Sequence, residues 1–132
     1  MKLVIDTNIY IDFAAGNSAV INAFLNFGED LYLPAVVVAE LTYGFIKGTK
    51  EKLNEKKLQE FIESLDVRII NIDRDTARKY ALIYHSLVQK GRKIPINDVW
   101  IAASCLSIGG TLITRDKHFD SIEMIDLFSI DS

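Results

Sequence analysis

Five short apolar, β-rich runs alternate along the chain with stretches of helical periodicity, and that alternation constrains the fold more than any other feature. The runs are Lys2 to Asp6, Leu31 to Leu33, Val67 to Ile72, Thr111 to Thr114 and Met124 to Leu127. After Asn17, a good N-cap, Val20, Ile21, Phe24 and Leu25 recur at helical spacing until Gly28 closes the stretch. Pro34 opens a second helix with Val37, Val38, Leu41 and Phe45 on one face, and Glu51 to Leu65 carries Leu58, Phe61, Ile62 and Leu65 as another stripe. A fourth helix runs from Asp73, its expected cap, to Gly91. The fifth, Asn97 to Ile108, is apolar nearly all round and is expected to be buried. Apolar strands separated by helices imply a parallel sheet covered on both faces, a doubly wound three-layer α/β/α sandwich. With no internal repeat or linker in 132 residues, the chain reads as one domain over 1–132.

In such a sheet every strand points its carboxyl end at one edge, and ligands bind there, where the strand order reverses. Asp6 ends the first strand, and Asp116 lies two residues beyond the strand Thr111 to Thr114. Asp98 is in the first turn of the helix leading into that strand, and Glu40 is about a turn and a half into the helix after the second strand. Each acid has an ordinary reading. Asp98 follows Asn97 at a helix start, where acids complement the dipole; Asp116, in TRDKHF, suits a turn. Glu40 is harder to explain, because Val36, Val37, Val38, Ala39 and Leu41 make a poor solvent face. Asp6 is hardest, since a carboxylate at the end of a central strand is rarely buried unless paired. Convergence of all four on one edge is a stronger signal than any one of them.

Carboxylates crowded to about 4 Å repel by about 4 kcal/mol per pair at an effective dielectric near 20, so they take up protons or bind a cation. Hard oxygen ligands suit Mg²⁺ or Mn²⁺, and no pairing of Cys with His favours zinc. Divalent ions held by acids promote in-line attack on a phosphodiester. A formal charge of −3 and a pI near 5.3 argue against a nucleic-acid partner. Setting four metal-bound acids aside changes the balance to 14 acids against 15 bases, which readmits a polyanion. Basic residues also cluster, at Lys47, Lys50, Lys52, Lys56 and Lys57 and again at Lys90, Arg92 and Lys93, although Glu51 and Glu55 make a solvated helix an equal reading of the first group. Cys105, the sole cysteine, sits in an apolar run as a buried hydrophobe and excludes an internal disulfide. There is no signal-peptide pattern and no run long enough to span a bilayer, so the expected location is the cytoplasm.

Four fragments together resemble the PIN domain, and within it the VapC-type toxins of prokaryotic toxin–antitoxin pairs: VIDTNIYID at 4–12, PAVVVAELTYG at 34–44, IPINDVWIAASC at 94–105 and LITRDKHF at 112–119. The resemblance implies a five-stranded parallel sheet and a Mg²⁺ or Mn²⁺ site made by Asp6, Glu40, Asp98 and Asp116, with Asn8, in the turn expected after Asp6, and Thr114 as supporting polar residues. It also implies a homodimeric ribonuclease that cuts a structured RNA, such as a transfer or ribosomal RNA, to leave a 3′ hydroxyl and a 5′ phosphate. A cognate antitoxin blocking the site is implied too. Ile9, Tyr10, Phe13 and the lysine-rich hairpin after Gly44 are candidate contacts.

His118 is read first as an exposed turn histidine and second as a phosphate or metal contact. His85 is read as structural and Trp100 as core. A different class also fits the size and layering: a receiver-like signalling module with a Mg²⁺-binding acidic pocket. Its phosphoacceptor would be Asp73, at the end of the third run.

Overall fold

The computed structural model describes residues 1–130 and shows a five-stranded, all-parallel sheet in the order β3-β2-β1-β4-β5. β1 (Lys2–Ile5) is central because Leu3, Val4 and Ile5, all fully buried, are apolar on both faces of the strand. Val4 lies opposite Tyr32 of β2 (Asp30–Pro34) on one side and Leu112 of β4 (Thr111–Thr114) on the other. β3 (Arg68–Ile70) and β5 (Asp126–Ser129) form the edges.

β3 stops two residues short of the expected Ile72, which is exposed, and β5 begins at Asp126 instead of Met124. The second shift follows from pairing: Asp126 lies opposite Thr111, while Ile122 and Ile125 are first buried in the core.

The largest departure from expectation is α1 (Thr7–Ala14), where a turn was expected after Asp6. Asp6 is not the last strand residue but an N-cap: it leaves the strand in extended conformation, and its Oδ1 accepts the Thr7 N–H at 2.8 Å. Only Ile9 and Tyr10 of the helix are buried, and Ile9 is core, not a contact surface.

Asn17 caps α2 (Ser18–Phe27) by accepting the Val20 N–H, and Gly28 ends it where an added Cβ would meet Leu31 Cδ2 and Phe24 O at 2.7 Å. α3 (Ala35–Lys47) buries Val37 and Leu41. α4 (Glu51–Ser64) buries Leu58 and Phe61 but leaves Leu65 exposed. α5 (Arg74–Gln89) and the apolar α6 (Ile96–Ser107) pack on each other.

The strand order and the right-handed crossover rule together set α1 to α4 on one face and α5 and α6 on the other, and the helices pack within those groups, α3 on α4 and α5 on α6. Each layer has its own aromatic contacts. Phe61 packs on Tyr10 and Phe13 with ring centroids 5.1 and 5.0 Å away, and Trp100 stacks at 4.1 Å on Tyr80. Trp100 is half-buried between helices and not deep core, and His85 is exposed on α5.

This strand order overturns the receiver-like alternative. Such modules place the first strand between the second and third, whereas here β3 is an edge. Asp73 caps α5, accepting the Thr76 N–H at 2.9 Å and its hydroxyl at 3.0 Å, which holds its carboxyl below the usual range. Among the described residues, no helix is long and apolar enough to cross a membrane.

Candidate metal centre

The strand order reverses between β1 and β4, and the carboxyl ends of those strands floor a cleft of about 470 Å³. Asp6, Glu40, Asp98 and Asp116 all line it, with Thr7, Asn8, Pro95, Ile96, Asn97 and His118. The four acids come from four separate places: the cap of α1, the middle of α3, the first turn of α6 and the turn after β4. No lysine or arginine is among the lining residues. Arg115, next to Asp116, is instead ion-paired with Asp12 on α1.

Two threonines organise the acids. Thr114, buried beneath the cleft, donates its hydroxyl to Asp6 Oδ2 at 2.7 Å and accepts the backbone N–H of Asp116 at 2.9 Å. Thr7 donates its hydroxyl to Glu40 Oε1 at 2.9 Å. Asp116 Oδ1 accepts the His118 N–H at 2.9 Å, closing a short 3₁₀ turn (Lys117–Ser121) that carries the His118 ring back over the acids. His118 Nδ1 then lies 3.1 Å from Asp98 Oδ2 and 3.1 Å from Asp116 Oδ1. One ligand atom each from Asp98, Asp116 and His118 falls within 4.8 Å of the other two.

Asp6 is 4% exposed, and burial pushes its carboxyl from 3.8 up to about 6. The Thr114 and Thr7 hydrogen bonds oppose that rise, and the charges of Asp98 and Asp116 add to it. Burial also raises Asp98, opposed by the His118 hydrogen bond and reinforced by Asp116 and Glu40. His118 is raised in turn, first by its bond to Asp98 and then by the charge of Asp116. A buried carboxylate with ionised neighbours and hard oxygen donors around it fits a divalent cation, which removes both the repulsion and the desolvation penalty.

Thr114, expected as a supporting residue, lies beneath the cleft in contact with Asp6 and the Asp116 backbone. Asn8, expected to steady the site from a turn, is exposed on α1 and lines the cleft, while its neighbour Thr7 makes the supporting hydrogen bond. Sequence reasoning passed over Thr7 because the helix starting there was read as a turn. His118, read first as an exposed turn residue, is half-exposed yet touches two of the acids. The signal for it was its spacing of two from Asp116.

Comparison with known proteins places these features in a family context. A family model described as the PIN domain matches residues 3–124. The chain is 30% identical over 121 residues to "VapC ribonuclease Y4jK" of Sinorhizobium fredii, covering 86% of each chain. It is 28% identical over 126 residues to "Ribonuclease VapC5" of Mycobacterium tuberculosis, covering 91% of this chain and 87% of that one. Among solved structures, VapBC2 from Rickettsia felis bound to a DNA fragment from its promoter matches with a TM-score of 0.90, 27% identity and 99% of this chain covered against 100% of that one. FitAcB from Neisseria gonorrhoeae matches with a TM-score of 0.77, 30% identity and 96% of each chain.

Proposed function

Because the chain belongs to the PIN-domain family, we propose that it is a metal-dependent endoribonuclease acting at this cleft and the toxin of a toxin–antitoxin pair. The observation that carries the reading is the meeting of Asp6, Glu40, Asp98 and Asp116, drawn from four segments, at the strand-order switch.

Asp6 and Asp98 are the principal metal ligands, and Glu40 and Asp116 complete the acidic site. A bound Mg²⁺ or Mn²⁺ supplies Lewis acidity to the phosphate and lowers the pKa of water. The protein groups supply placement. Thr114 fixes Asp6 and, through the backbone, Asp116. Thr7 holds Glu40 Oε1, leaving Oε2 to orient the attacking water and accept its proton. Hydrolysis in this sense leaves a 3′ hydroxyl and a 5′ phosphate.

The substrate is RNA, a transfer or ribosomal RNA being the class the resemblance favours. Arg92 and Lys93 precede Pro95 to Asn97 of the cleft wall, where cations suit a phosphate backbone, while Lys90 is ion-paired with Glu123. VapBC and FitAcB structures among the neighbours support a cognate antitoxin as partner. The groove lined by Tyr10, Phe13, Phe61 and Leu65, with Lys57 and Glu60 at its polar positions, fits an apolar partner segment. A homodimer is the assembly proposed.

The test is incubation with total cellular RNA and mapping of new 5′ ends. Cleavage is expected with Mg²⁺ or Mn²⁺ and is lost in excess EDTA and in Asp6→Asn. Undiminished cleavage by that variant, or in EDTA, overturns the reading.

A further inference from the structure

His118 Nδ1 faces carboxylates that arrive from two different elements, α6 and the turn after β4, at 3.1 Å from each. That spacing has a simple meaning in coordination geometry. Two ligand atoms about 2.1 Å from one ion and at right angles to each other are about 3.0 Å apart. The 4.8 Å span of the Asp98, Asp116 and His118 ligand atoms is compatible with one ion among them after a small inward adjustment. The ring is also held from behind, since the His118 backbone N–H is bonded to Asp116 Oδ1 at 2.9 Å.

From this geometry we infer that His118 is itself a metal ligand, adding one nitrogen to the oxygen set of Asp98 and Asp116 and turning the site toward Mn²⁺ over Mg²⁺. The inference rests on the metal-site reading above and deepens it with a ligand and an ion preference. Mg²⁺ takes oxygen ligands and keeps its waters, whereas transition-metal dications accept imidazole nitrogen readily. The histidine binds through Nδ1 as the neutral ring, with its proton on Nε2. Asp6, the other principal ligand, lines the same cleft, and Glu40 completes the anionic set.

The chain has two histidines, which makes the test specific. His85 is exposed on α5 and does not line the cleft. Pulsed EPR of the Mn²⁺-loaded protein is expected to show ¹⁴N modulation from a directly bound imidazole. The modulation is lost in His118→Gln and kept in His85→Gln. Calorimetric titration of His118→Gln is expected to show Mn²⁺ binding weakened by about tenfold or more, with Mg²⁺ binding changed by less than about threefold. Circular dichroism confirms that the half-exposed substitution leaves the fold intact.

Saturable Mn²⁺ binding that Asp98→Asn weakens, but with no nitrogen modulation, overturns the role of His118 and leaves the acidic metal site standing. An equal loss of affinity for both ions in His118→Gln overturns the ion preference. No saturable binding of either ion by the wild-type chain overturns the inference and the metal-site reading together.

Discussion

Thr114 Oγ1 donates to Asp6 Oδ2 at 2.7 Å across 108 positions of sequence, and the same oxygen accepts the Asp116 N–H. One buried hydroxyl therefore sets the positions of two acids that lie just beyond the ends of neighbouring strands. Their spacing is fixed by the β1–β4 pairing, not by either loop alone.

Replacing Thr114 by Val keeps the shape and removes that hydroxyl. It leaves the Asp116 N–H without an acceptor and Asp6 with one donor fewer, so a loss of about 1–3 kcal/mol is expected in urea unfolding. Cleavage should fall as well. A stability change under about 0.5 kcal/mol, the range of an ordinary surface substitution, contradicts this account.

The Asp6 carboxyl makes the metal-free chain sensitive to pH. Burial raises it from 3.8 to about 6, so between those values the folded chain keeps a proton that the unfolded chain has released. Stability from this group is therefore full below pH 3.8, falls as pH rises and levels off above about 6. At about 1.4 kcal/mol per pH unit, the whole fall is about 3 kcal/mol. In EDTA, Asp6→Asn should match wild type near pH 3.5 and exceed it by up to about 3 kcal/mol at pH 7.5. A constant difference across that range rules out the titration of Asp6 as its source.

Glu40 and Thr7 separate charge from placement. Glu40→Gln keeps an acceptor for the Thr7 hydroxyl and loses the anion, so folding should hold while the cleavage rate drops by about 100-fold or more. Thr7→Val leaves the anion and frees its rotamer, with a loss of about tenfold. Single-turnover cleavage of one RNA substrate gives both numbers, and equal losses argue against a positioning role for Thr7.

Phe61 joins α4 to α1 and α2 through Tyr10, Phe13 and Phe24. Phe61→Ala should destabilise by about 3–5 kcal/mol and lower Tm by about 10 °C or more. An unchanged Tm means that these helices are held elsewhere.

The sheet and most helices were legible because each relies on a local pattern. Leu3 to Ile5, Asn17 and Asp73 announce a buried strand and two caps without reference to distant residues. The four acids were legible for a topological reason, since parallel strands share one carboxyl edge. α1 was missed because TNIYID is rich in residues that suit strands. Its helical start depends on the Asp6 side chain turning back to the Thr7 N–H. β5 slid by two residues because its register is fixed by Thr111 and Asp126 across the sheet. Thr7 matters through a contact 33 positions away, which no local spacing encodes, and the spacing of His118 from Asp116 showed only one of its two acid contacts, the other being 20 positions away.

The central strand has a consequence for the life of the molecule during synthesis. β1 precedes its second neighbour, β4, and the last acid of the cleft, which come only at Thr111 to Asp116, after Asp6, Glu40 and Asp98. A nascent or truncated chain that ends before this point holds Asp6, Glu40 and Asp98 yet has no second wall to gather them against. Metal binding at the cleft is therefore expected only of a chain that reaches Asp116, however many of the other acids it carries.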